Sequence, residues 1–256
     1  MSAGRARIAK AGRLVHQDAG KGRERRAMER ENGTEAALER LLDAAEPHVA
    51  FDGWSAATLR AAAVESGLAP GLVAALVPRG AVDLALAAHR RADRRMSLAL
   101  AEMDLSGLRF HQRIARAVRL RLELAGDREA VRRATALFAL PIHAAEGAAL
   151  IWGTADAIWT ALGDTSRDFA WYSKRASLAA VYSSTLLYWL GDDSPDRQAT
   201  WDFLDRRIGN VMAFEKVKAG LKASPLGKML AGPMQILERI HAPEPAEGLP
   251  GHLGRK

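Results

Sequence analysis

"GWSAATLRAAAVESGLAPGLVAALVPRGAVDLALAAH", residues 53–89, decides the fold. Ser55 is a helix-capping type just ahead of an Ala/Leu/Arg run, and Gly67 is a tight-turn glycine. A second, short helix follows from Ala69 to Pro78, and a long one begins after Gly80. Two short helices joined across a tight glycine turn have helix-turn-helix geometry. β-Branched residues are sparse, and no alternation of apolar and polar residues persists after Gly33. The expectation is an all-α chain with helices at roughly 35–48, 55–66, 70–77, 79–103, 106–125, 127–140, 143–162, 165–190, 196–221 and 225–241. Thr34 and Ser55 are the expected caps of the first two, and Ser194-Pro195 is a matched start for the ninth.

Residues 34–90 resemble the N-terminal domain of TetR-type repressors, in which the second helix of the pair lies in the major groove. Base reading requires hydrogen-bonding side chains on that helix. "APGLVAALVP", residues 69–78, has none before Arg79. The helix-turn-helix is therefore expected to be vestigial, with no specific DNA binding. The alternative is a TetR-type transcriptional regulator with a hydrophobic effector.

Composition fits a soluble domain. The 256 residues are 48% hydrophobic and 26% charged, and none is cysteine, so disulfides, cysteine-held metals and thiol catalysis are excluded. Residues 1–27 hold eight basic side chains and two acids, so they carry six of the seven net positive charges. The body is nearly neutral, and the sequence pI of about 10.0 belongs to the leader. Residues 1–33 are expected to be a flexible basic leader, with Met28 a reasonable alternative start. The longest uncharged apolar run, residues 176–191, is shorter than the roughly 20 residues of a spanning helix.

"DTSRDFAWYSKR", residues 164–175, sets Trp171 and Tyr172 directly before Lys174 and Arg175. Thr165-x-x-Asp168 and Asp164/Ser166 suggest a capping-box start. At about 100° per residue, Phe169, Tyr172, Ala176, Ala179, Ala180, Ser183, Leu187 and Leu190 form one stripe. Trp171, Leu178, Tyr182 and Trp189 form another, so the helix is expected to be sandwiched, with Trp171 at a rim and the Lys-Arg end in water.

"DTSRDFAWYSKRA", with "AVRLRLE" (117–123), "DAIW" (156–159) and "FLDRRI" (203–208), closely resembles the Coq-nine family of lipid-binding accessory proteins of ubiquinone biosynthesis. The resemblance covers about residues 34–240. It implies a non-enzymatic protein that binds an isoprenoid quinone or precursor lipid and presents it to a di-iron demethoxyubiquinone hydroxylase at the membrane surface. It carries a partner-binding patch onto Asp168, Trp171 and Tyr172, with Arg175 one turn later. Ile158 marks a stripe that is expected to face the same partner. Leu137, Phe138, Trp152, Trp159 and Tyr182 are candidate walls of a lipid cavity, though each also suits a plain core.

Within "SPLGKMLAGPMQILERIHAP", residues 224–243, Leu226, Met229, Leu230, Met234, Leu237 and Ile240 share a narrow arc, the pattern of a membrane-binding amphipathic helix kinked at Gly232-Pro233. The expected organisation is a leader (1–33), a helix-turn-helix-like region (34–90), a helical lipid-binding and dimerisation domain (91–222), the amphipathic helix (223–243) and a flexible tail (244–256). A homodimer is expected from the TetR resemblance. The expected location is the bacterial cytoplasm, peripheral on the inner membrane, or the matrix side of the mitochondrial inner membrane in a eukaryote. No cofactor, metal site or catalytic residue is expected. His143-x-x-Glu146 has helical ligand spacing, but no second such pair repeats it.

Overall fold

The computed structural model describes residues 28–223, and side chains as far as Ala213. Among these residues the regular structure is helical: α1 (28–52), α2 (Ala56–Glu65), α3 (Pro70–Leu76), α4 (Ala81–Glu102), α5 (Phe110–Glu123), α6 (Arg128–Phe138), α7 (Ala144–Ala161), α8 (Phe169–Gly191) and α9 (Gln198–Ala223). A 3₁₀ turn, Pro195–Arg197, precedes α9. None of these helices alone is long and apolar enough to cross a membrane. Leu226, Met229, Leu230, Met234, Leu237 and Ile240 lie outside the described residues.

The chain divides into two compact units between Ala88 and His89. In the first, Ala37, Leu41, Ala45 and Val49 recur every four residues and bury one face of α1. Residues 28–33, expected in the flexible leader, already belong to this helix. Thr34 consequently does not cap it: its hydroxyl donates back to the carbonyl of Arg30 at 2.8 Å, inside the helix. Ser55 does cap α2, accepting from the amide of Thr58. Gly67 makes the α2–α3 turn at φ +63°, a conformation that favours glycine. Val73 is buried, while Pro70, Gly71, Leu72, Ala74 and Ala75 are exposed, so the outward face of α3 presents hydrocarbon and backbone only.

In the second unit the core joins Ala117, Val118 and Leu122 of α5 to Ile158 and Trp159 of α7. Leu178, Val181, Tyr182, Leu186 and Trp189 of α8 and Trp201, Leu204 and Ile208 of α9 complete it. Burying each of these large side chains contributes roughly 1.5–3 kcal/mol. The spacing of Trp201, Leu204 and Ile208 gives α9 a single inward stripe. The start of α9 is held by Asp192, whose carboxylate accepts from Thr200 Oγ1 at 2.6 Å and from the Thr200 amide at 2.9 Å. The Ser194 hydroxyl accepts from the amide of Ala199 at 3.1 Å but makes no cap bond to the 3₁₀ turn that Pro195 opens, so the expected serine cap does not form and α9 begins only at Gln198.

A polar chain crosses this core. Asp93 on α4 accepts from Arg121 Nε at 2.6 Å and from the Thr154 hydroxyl at 2.9 Å. Thr154 also meets His89 Nε2 at 2.9 Å, and the Arg121 guanidinium lies over the Tyr182 ring at 5.8 Å. Burial, then the nearby Arg121 charge, lowers the His89 pKa from 6.5 to about 3, so this imidazole is neutral at ordinary pH.

Candidate functional site

The site is built where α7 turns into α8. Gly163, at φ +82°, reverses the chain, and the amide of Asp164 donates to the Trp159 carbonyl at 2.9 Å. That turn drives the Asp164 side chain inward until it is only 4% exposed. Its Oδ1 accepts from Lys174 Nζ at 2.7 Å and Ser166 Oγ at 2.8 Å, and its Oδ2 from Arg175 Nη1 at 3.1 Å. Burial alone would raise its pKa. The hydrogen bonds from Lys174, Ser166 and Arg175, with the Lys174 charge, outweigh that and hold it down at about 2.

Arg175 is the second surprise of this end. A Lys-Arg pair at a helix start reads as solvated, yet the Arg175 side chain is 3% exposed. Its Nε donates to Asp156 Oδ1 at 2.6 Å, Nη1 reaches Asp164, and Nη1 also meets the Trp171 carbonyl at 3.3 Å. Its guanidinium carbon lies 4.0 Å from the centroid of the Trp171 ring. Two carboxylates from separate segments, one on α7 and one in the connecting loop, make this burial tolerable. Arg175, expected on the docking surface, is thus beneath it.

Above this network stands an aromatic cluster. Trp171 and Tyr172 meet edge to face at 4.8 Å between centroids, and Trp152 lies 5.8 Å from Trp171 and 6.5 Å from Tyr172. All three rings are half-buried, so Trp171 does sit at a rim. Asp168 is exposed and is itself the cap of α8, accepting from the Ala170 amide at 3.0 Å. The helix therefore begins at Phe169, and the box expected from Thr165 is replaced by this shorter cap.

The other expected residues separate. Ile158 is fully buried in the core, so it cannot face a partner. Trp159 is buried too, with Nε1 donating to the Lys174 carbonyl at 3.1 Å and the half-exposed Phe110 ring at 5.5 Å. Tyr182 is core. Phe138 packs at the α6–α7 turn, edge-on to His143, where Gly147 approaches so closely that a Cβ there would sit 2.9 Å from the Phe138 carbonyl oxygen. Leu137, beside Phe138, is half-buried. Trp152, expected in a cavity wall with Trp159, joins Trp171 and Tyr172 instead. The expected α8 stripe that starts at Phe169 is buried only in part: Leu190 is buried and Tyr172, Ala179 and Ser183 are half-buried, while Phe169, Ala176, Ala180 and Leu187 are exposed. On the stripe that starts at Trp171, Leu178, Tyr182 and Trp189 are buried.

Beside the cluster, Ser97 and Ala101 of α4 and Gly153, Asp156, Ala157 and Thr160 of α7 line a groove of about 340 Å³. Asp156 is shared between the groove and the ion network, and its side chain is 44% exposed. His143 Nδ1 and Glu146 Oε2 are 3.1 Å apart, a simple pair, and among the described residues no three His, Asp or Glu side chains gather as a metal site would require. The arrangement sets half-buried aromatic rings over a satisfied charge network, next to a small-residue groove, the residue types that recognition uses.

Residues 144–215, which include this whole arrangement except Phe110 and the α4 side of the groove, match the COQ9 family model. The chain is 32% identical over 181 residues to "Ubiquinone biosynthesis protein COQ9, mitochondrial" of Drosophila melanogaster, covering 69% of this chain and 55% of that protein. It is 29% identical to the probable coq9 protein of Dictyostelium discoideum, over 70% of this chain and 61% of that one. Against the human COQ9 protein identity is 40% over 80 residues, covering 31% of this chain and 25% of that protein. The chain therefore spans little more than half the length of the first two. In fold it is similar to a TetR transcriptional regulator from Nitrosomonas europaea, with a TM-score of 0.55 at 24% identity over 67% of this chain and 95% of that one. The chain thus carries the matched COQ9 segment, with its aromatic cluster, on a TetR-like all-α scaffold.

Proposed function

We propose that this protein acts in ubiquinone biosynthesis as a non-enzymatic accessory factor. It binds an isoprenoid quinone or precursor lipid and presents it to a di-iron demethoxyubiquinone hydroxylase at a membrane surface. The observation that carries the reading is the half-buried Trp152–Trp171–Tyr172 cluster, seated on buried ion pairs within the segment matched to COQ9. Aromatic side chains held at a rim bury large area on docking at little entropic cost. The names of the relatives support the pathway. The lipid follows from solvation: each methylene of a polyprenyl tail gains about 0.8 kcal/mol on leaving water, so a soluble hydroxylase needs its substrate handed over.

A location at the matrix side of the mitochondrial inner membrane in a eukaryote, or on the cytoplasmic membrane face in a bacterium, belongs to the same reading. So does a homodimer, for which the exposed small-residue face of α8 offers a close-approach surface. The regulator reading has the scaffold in its favour, but the exposed face of α3 offers no side-chain donor to a base edge. The test is purification of the full chain with the hydroxylase, followed by native mass spectrometry. Co-purification with a bound isoprenoid supports the reading. A chain that neither carries such a lipid nor retains the hydroxylase overturns it.

A further inference from the structure

We infer that Arg175 is the positioning residue of the aromatic docking patch: from below the surface it holds the Trp171 ring in the orientation the partner meets. This rests on the docking reading given above and adds a role that exposure alone would never suggest. A helical side chain leans toward the preceding turn, so a residue at i+4 lies over residue i. Arg175 stands four residues after Trp171, and its guanidinium is 4.0 Å from the ring centroid. What fixes the guanidinium is independent of the ring. Asp156 holds Nε from α7 at 2.6 Å, and Asp164 holds Nη1 from the connecting loop at 3.1 Å. The plane is therefore oriented from two sides before it touches the indole. Tyr172 then closes the ring edge to face at 4.8 Å, and Trp152 approaches it at 5.8 Å.

The consequence is preorganisation. A half-exposed tryptophan at the first turn of a helix would otherwise sample several rotamers, and a partner would have to select one. Lysine cannot replace the arginine here. Its ammonium has no plane to stack, and it cannot address two carboxylates in a fixed fork.

The experiment uses the full chain, 15N-labelled at the indole nitrogens, and the purified di-iron hydroxylase. The Trp171 signal is identified by its loss in Trp171→Phe. In Arg175→Lys the Trp171 indole is expected to become mobile on the ps–ns timescale, while the buried Trp159 and Trp201 signals keep their positions. Affinity for the hydroxylase is expected to fall about tenfold in Arg175→Lys, yet to be unchanged by the same substitution in a Trp171→Ala background. Asp156→Asn, which cuts one anchor at a part-exposed residue, gives about a threefold loss and carries the test should Arg175→Lys not fold. A Trp171 ring that stays as rigid in the variants as in the wild type overturns the inference. So does an Arg175→Lys loss that persists undiminished without Trp171. A wild-type chain that does not bind the hydroxylase overturns the docking reading instead, and the indole mobility then decides by itself whether Arg175 orders the ring.

Discussion

The outward face of α3 and the first turns of α8 are both short helical surfaces of the kind that recognition uses, and they differ in almost every chemical respect. α3 shows solvent Pro70, Gly71, Leu72, Ala74 and Ala75, with no side-chain hydrogen-bond donor among them. The α8 start shows Trp171 and Tyr172 and keeps the Arg175 guanidinium, paired with Asp156 and Asp164, against the Trp171 ring. On one TetR-like fold, the outward face of α3 carries no side-chain donor while the start of α8 holds a chemically dense cluster. The difference teaches that shape alone transfers no function: the TetR-like arrangement is common to both places, and only the side chains say which can bind anything selectively.

The largest expected effect would break this contrast outright. Trp171→Lys should weaken hydroxylase binding 100-fold or more, about 2.7 kcal/mol, while the thermal midpoint moves by only a few degrees, because the ring is half-exposed. Isothermal titration beside a melting curve checks both halves, and gross unfolding would move Trp171 into the core category.

Next comes the support of the cluster. Asp164→Asn should cost about 2 kcal/mol at neutral pH, since it leaves Lys174 without its carboxylate and Arg175 with Asp156 alone. The acid counterpart has a definite sign. The Asp164 carboxyl titrates at about 2 in the folded protein against 3.8 when unperturbed. Its stabilisation is present above pH 4 and is lost as pH falls toward 2. Denaturant titrations of wild type and variant should therefore converge in that window.

A control away from both surfaces is His89→Gln. The unfolded chain takes up a proton near pH 6.5 that the folded imidazole refuses until about 3. Stability should fall by roughly 1.4 kcal/mol for each pH unit below 6.5, and the variant should flatten that slope. Hydroxylase affinity should not change. The smallest effect is at α3. Ala74→Lys with Ala75→Lys should alter stability by less than about 0.5 kcal/mol and add only sequence-blind, salt-sensitive DNA affinity. A sequence-specific shift in a gel at moderate salt would erase the contrast from the other side.

The helices were legible because Ala/Leu-rich periodicity and the Gly and Pro breaks act locally. Ser55 and Gly67 declare themselves within a few residues, whereas Ser194-Pro195 opens only a 3₁₀ turn ahead of α9. Thr34 misled because the helix runs back to residue 28, and a threonine inside a helix looks the same in sequence as one capping it. The burial of Arg175 was only half legible in its own segment, which holds Asp164 but not Asp156. Its partners are 19 and 11 residues upstream, and a helix-start Lys-Arg pair is solvated unless such acids fold back on it. Asp156, an isolated acid in the apolar run "GTADAIWTALG", was a second signal for a buried cation beside Asp164. Trp152 and Trp159, seven apart, share a stripe by periodicity. Their different surroundings are set by which neighbouring helix covers each turn, which periodicity does not contain.

The polar ties from Asp93 to Arg121 and Thr154 pin α4 to α5 and α7 through the middle of the bundle. Separating those three helices would strand the Arg121 guanidinium, whose side chain is 3% exposed, without its carboxylate, at a cost of several kcal/mol. Spin labels or cross-links placed across α4–α7 should therefore register no movement until denaturant unfolds the bundle.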